Sequence, residues 1–107
     1  MKIKKEEKAV QIYNELLKND DLPSEALMEI SGELGNNGFI KYIHELIVPR
    51  YKVYEHNPIT GINILQSYLE TNKKNEGIKL LNQLKALNRP DLKKYFDFYH
   101  QELSKIN

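Results

Sequence analysis

Apolar residues along this chain recur three and four positions apart, and Gly, Pro, Asn and Asp interrupt them at intervals. No stretch alternates apolar and polar side chains over the length of a strand. The pattern predicts six helices. The first, about residues 4–18, places Ala9, Val10, Ile12, Tyr13, Leu16 and Leu17 on a sector broader than a one-sided surface helix shows, so cover from more than one side is expected. Asp20 and Asp21 end it, and Pro23 with Ser24 opens a second helix that runs to about Leu34 and stops at GNNG, residues 35–38. A third begins at Phe39 and carries Ile40, Ile43 and Ile47 on one face; Pro49, which lacks an amide proton, ends or kinks it.

Residues 51–58, YKVYEHNP, read as a weak helical continuation followed by a turn. Asn57 as cap and Pro58 in the first turn then start a fourth helix, with Ile62, Leu65 and Leu69 on one face and Ile64 and Tyr68 on another. The polar break TNKKN, residues 71–75, precedes a fifth helix carrying Ile78, Leu81, Leu84 and Leu87. Pro90 and Asp91 open the last, whose stripe is Leu92, Tyr95, Phe96, Tyr99, Leu103 and Ile106.

A shift of 34 residues lays the chain on itself: Leu27 on Gly61, Ile30 on Ile64, Leu34 on Tyr68, Gly38 on Asn72, Ile43 on Gly77 and Ile47 on Leu81. Four of these six pairs keep a comparable helix or turn role. The opposite shift puts Ala9 on Ile43 and Tyr13 on Ile47, so the first helix takes the place of a second hairpin arm. Residues 61–90 read as one whole unit, with Ile64 and Leu65, then Tyr68, then small Gly77 with Leu81 four positions on, and Pro90 closing.

This framework resembles the tetratricopeptide repeat, a helix-turn-helix unit of 34 residues, and is similar to units of bacterial tetratricopeptide proteins. It departs from the family's pattern in having no tryptophan, Leu65 where a packing glycine is expected, large Ile43 at a small position and Pro90 one position late. The same one-residue lengthening brings Phe96, Tyr99 and Leu103 into register as another first arm.

The resemblance implies an all-α fold, a short right-handed superhelix of antiparallel hairpins in one domain over 1–107. Its parts are a half unit at 4–18, hairpins at 24–54 and 58–87, and a final helix at 90–105. It also implies a protein or peptide partner in a concave groove lined by first arms. In that frame the groove carries Met28, Glu29 and Gly32, then Ile62, Asn63, Gln66 and Glu70, then Asp97, Phe98 and Gln101. The partner-binding candidates are Asn63, Gln66, Glu70, Asp97, Phe98 and Gln101. Phe98 lies off the stripe of its helix, as an exposed anchor would, or caps the end of the core. Asn63 offers an amide donor and acceptor to an extended peptide, or is an ordinary polar residue on a solvated face. The lysine and asparagine clamp that some family members use for a C-terminal carboxylate is not evident.

Composition narrows the function classes. Charged residues make up 29% of the chain and apolar ones 40%, the balance of a folded protein. Basic and acidic residues number 16 and 15, so there is no strongly basic surface of the kind that holds nucleic acid through its phosphates, and no nucleic-acid partner is expected. The absence of cysteine excludes disulfides and thiolate metal sites, and no apolar run approaches a signal peptide or a membrane span; a cytoplasmic protein without a membrane partner is expected.

His44, His56 and His100 lie far apart in sequence and are expected on the surface or in turns. Ser24, Ser31, Ser67 and Ser104 stand in no nucleophile motif, so no enzyme, metal or cofactor is expected. Residues 25–47 have the outline of a DNA-binding helix-turn-helix, but Lys41 is the single cation of its second helix. The alternative function is structural. The opening and closing helices each present an apolar edge, suited to a homodimer or to the end of a larger repeat protein.

Overall fold

The computed structural model describes Gln11, Glu15 and residues 23–106. Gln11 and Glu15 are helical and exposed; the rest of the helix expected at 4–18, with its apolar sector, lies outside the described residues. Within them the chain is all-helical: α1 (Ser24–Asn36), α2 (Ile40–Tyr42), α3 (Pro58–Glu70), α4 (Lys74–Lys85) and α5 (Lys93–Ser104). A π-helical turn, Ile43–Ile47, and a 3-10 turn, Val48–Arg50, prolong α2, and a 3-10 turn, Pro90–Leu92, leads into α5. None of the described helices is long and apolar enough to cross a membrane.

The 34-residue offset is visible in the backbone. Ser24 and Pro58 open α1 and α3, and Ile40 and Lys74 open α2 and α4, each pair 34 positions apart. α1 and α3 are both 13 residues long. They also end alike. Gly38 and Asn72 both take left-handed φ, 76° and 57°. Each closes its helix with the same bond, Phe39 N to Leu34 O at 2.8 Å and Lys73 N to Tyr68 O at 2.9 Å. Left-handed termination suits Gly, which has no Cβ to set against the carbonyl oxygen, and Asn, whose short polar side chain can hydrogen-bond the local backbone.

α3 starts as its residues dictate. Pro58 occupies the first turn, where its missing amide costs nothing, and Asn57 Oδ1 accepts the Ile59 amide at 2.9 Å. The Asn57 amide in turn donates to Ser24 Oγ at 2.6 Å, tying the starts of α1 and α3 together. Further along, Asn63 Nδ2 donates to Ser31 Oγ at 2.9 Å. These contacts advance together along both helices, so α1 and α3 run parallel. Tyr99 Oη donates to Gln66 Oε1 at 2.9 Å and Lys74 Nζ to Ile106 O at 3.1 Å, carrying the same spacing of 32 to 33 residues toward the C-terminal end.

The core runs from Leu27 and Leu34 through Ile43, Ile47, Ile64 and Leu65 to Leu81, Leu84 and Leu103, with Ile40, Tyr42 and Val48 packed against it. α3 is its middle, packing on α1, α4, α5 and the π turn. It buries an almost continuous run from Thr60 to Ser67, as a helix covered on several sides must. Glycine permits two close approaches. A Cβ on Gly61 would stand 2.7 Å from Tyr51 Oη and 2.8 Å from Leu84 Cδ2, and one on Gly77 would stand 2.8 Å from Leu103 Cδ2.

Four expectations are corrected. Residues 51–58 continue no helix: the chain leaves the 3-10 turn at Arg50 and turns through 53–55. Ile62, expected on the groove, is buried at 8% exposure because α3 is covered on that side too. Tyr95, expected in the stripe of α5, is 50% exposed. The third helix buries Leu46 beside Ile43 and Ile47, positions three and four apart that share a face, and leaves Ile40 only half-buried.

Candidate partner-binding cleft

A cleft of about 510 Å³ opens between α1 and α3. Met28, Glu29, Gly32 and Gly35 form its α1 side. Ile59, Asn63, Gln66 and Glu70 form its α3 side, and Ile40 and Ile43 close its end. Three of the six candidates, Asn63, Gln66 and Glu70, therefore share one site, together with Met28, Glu29 and Gly32 of the expected groove.

Both amides are half-buried and partly engaged. Asn63 donates to Ser31, whose own proton goes to Met28 O at 2.8 Å, so Asn63 is not an ordinary residue on a solvated face. Gln66 spends its carbonyl on Tyr99. Burial raises the Tyr99 phenol above its ordinary pKa, and the neighbouring Glu70 charge and Tyr95 add to the rise, which places Glu70 at the α5 end of the cleft.

The other three candidates do not line this cleft. Asp97 lies in a separate hollow of about 440 Å³ with Lys85, Arg89 and Lys93. The Lys93 ammonium, 2.6 Å away, holds the Asp97 carboxyl below its ordinary range. Phe98 is 48% exposed and meets Tyr99 edge-on at 5.1 Å, so it does not cap the core. Gln101 is exposed. Gly35, Ile40 and Ile59 were not among the candidates. Met28, Gly32 and Gly35 follow the four-and-three spacing of one helix face, a signal that points to Gly35; no comparable signal marks Ile40 and Ile59, which reach the cleft only through the packing of two other elements.

Folding brings one histidine and one serine together. His44 is half-buried, stacked on Tyr68 at 5.2 Å, with Nε2 2.9 Å from Ser67 Oγ, which corrects the expectation of a surface histidine. Ser67 is fully buried and gives its proton to Ile64 O at 2.6 Å. A carbonyl only accepts, so the imidazole donates to the serine, the reverse of the polarity that activates a nucleophile. Burial lowers the His44 pKa, Lys73 lowers it further, and Glu76 opposes them. His56 holds a local turn, its Nδ1 accepting the Lys52 amide at 2.8 Å, and His100 is exposed. Among the described residues no group of three His, Asp or Glu side chains is arranged to hold a metal ion. Compared with protein-family models, with curated proteins and with solved structures, the chain matches none of them.

Proposed function

We propose that this chain is a short helical-repeat module resembling tetratricopeptide repeats, which holds a peptide or partner protein in the α1/α3 cleft and does no chemistry on it. The observation that carries the reading is the 34-residue recurrence of helix starts and of the Gly38 and Asn72 terminations, with the cleft opening between two equivalent arms. Gly61 stands three positions before Ile64, where the repeat framework has its tryptophan, and the Tyr51 hydroxyl of the preceding loop and the Leu84 methyls lie against it.

The cleft suits a peptide. It is open, apolar at Met28, Ile40 and Ile59, and carries amide groups that can pair with an extended backbone. Peptide display against the full chain, followed by amide shift mapping, tests the reading. Selected peptides should shift Gly32, Asn63, Gln66 and Glu70, and Gly32→Phe, which fills the cleft from an unstrained helical position, should weaken binding tenfold or more without changing helicity. Peptides that map instead to the hollow around Lys85 and Asp97, or a chain that selects none and is a dimer by light scattering, would remove the cleft as the binding site.

A further inference from the structure

We infer that the peptide taken by the α1/α3 cleft is cationic, with lysine or arginine side chains about three residues apart meeting Glu29 on one wall and Glu70 on the other. This rests on the peptide-binding reading above and adds the chemistry of the ligand.

The first argument is the charge of the walls. Residues of α1 and α3 include four glutamates and no lysine or arginine, although the chain as a whole is balanced at 16 basic and 15 acidic residues. Glu29 and Glu70 line the cleft, and no cation does so among the described residues. Neither glutamate forms an ion pair with a described residue, whereas Glu55, Asp91, Asp97 and Glu102 each hold a cation elsewhere. Two carboxylates with no cation beside them among the described residues, next to a partly apolar trough, set a negative potential that an incoming cation relieves.

The second argument is the floor. Gly61 and Gly77 are required by close packing, but a Cβ on Gly32 would meet nothing nearer than Asn63 Nδ2 at 3.8 Å and one on Gly35 nothing nearer than Ile43 Cδ1 at 3.9 Å. The fold has room for alanine at both, and glycine in a helix interior is less favourable than alanine. The two glycines that neither packing nor a left-handed φ requires both line the cleft, where they let another backbone lie close against α1.

The spacing follows from the parallel arrangement. Glu29 corresponds to Asn63 in the 34-residue frame, and Glu70 lies two helical turns beyond Asn63, roughly 10 Å along the axis. An extended chain covers that distance in about three residues, and residues three apart point to opposite sides of a strand. One cation then faces α1 and the next faces α3.

The test uses the isotope-labelled full chain and three synthetic peptide pools, with lysine, glutamine or glutamate fixed at two positions about three apart and uncharged residues randomised elsewhere. The lysine pool should shift the Gly32 and Gly35 amides and the Asn63 and Gln66 side chains. Its binding should weaken about tenfold in roughly 1 M salt, where charges are screened within ~3 Å. The exposed pair Glu29→Lys and Glu70→Lys should abolish lysine-pool binding and admit the glutamate pool, with Glu29→Gln and Glu70→Gln intermediate. Equal shifts from the glutamine pool would overturn the charge inference and leave the peptide cleft standing. Cleft residues that no pool shifts would overturn both.

Discussion

His44 shows how one side chain couples helix packing to pH. Its imidazole bridges the π turn to α3 through Ser67 and Tyr68, facing Lys73 and Glu76 from the start of the next hairpin arm. Its folded pKa lies below the ordinary 6.5, so between those values the unfolded chain binds the extra proton. Stability is therefore full above about pH 6.5 and falls as pH drops through that window toward the folded pKa. Urea unfolding at about pH 7.5 and pH 5.5, both above the range in which most carboxylates titrate, should show a lower midpoint in acid. His44→Gln should reduce that difference; an unchanged pH dependence would mean that the imidazole is not desolvated by folding. The sequence placed this histidine near Glu45 and Lys41 and gave no sign of Ser67, 23 residues away, because the partner arrives only when α3 packs.

Between elements, glycine decides how closely two helices meet. Leu84 of α4 and Tyr51 of the loop both press on α3 where Gly61 has no side chain. Gly61→Ala should cost up to about 2 kcal/mol net, overpacking at ~1–3 kcal/mol set against the ~1 kcal/mol that alanine adds to the helix. Chemical denaturation checks this; a variant as stable as the parent would mean that Leu84 and Tyr51 have room to yield. Gly77, expected as the small residue of its unit, does meet a neighbouring helix, at Leu103. Its equivalent, Ile43, is where the regular helix gives way to the π turn, with Val48 N reaching back five residues to Ile43 O. The bulk at that position was legible and its consequence was not, since a widened turn depends on Pro49 and on what packs around Ile43 and Ile47 together.

At the scale of the whole molecule, the described part measures 37 × 32 × 20 Å, and each helix packs mainly on its neighbours in the repeat order. Such an array is held by successive interfaces, so damage at one end should stay near it. Leu103→Ala removes a fully buried side chain that covers Gly77 and should cost about 2–5 kcal/mol. In amide hydrogen exchange, α5 and the α4 face beneath it should lose protection while α1 and the first half of α3 keep theirs. Uniform loss would indicate one indivisible core and count against the repeat reading.

Sequence alone determined the helices at 24–36, 58–70, 74–85 and 93–104, their terminators and the 34-residue offset of their starts, because caps, glycines, prolines and apolar spacing act within a turn or two of the residue that carries them. It reached half of the candidate site for the same reason: Asn63, Gln66 and Glu70 share one face of one helix. Tertiary structure decided the rest. Whether Asp97 joined that site, whether Ile62 faced a groove or a core, which glycines were squeezed and which stood open, and where His44 found its partner all depend on neighbours in other elements, and their positions follow from how several apolar faces are buried at once.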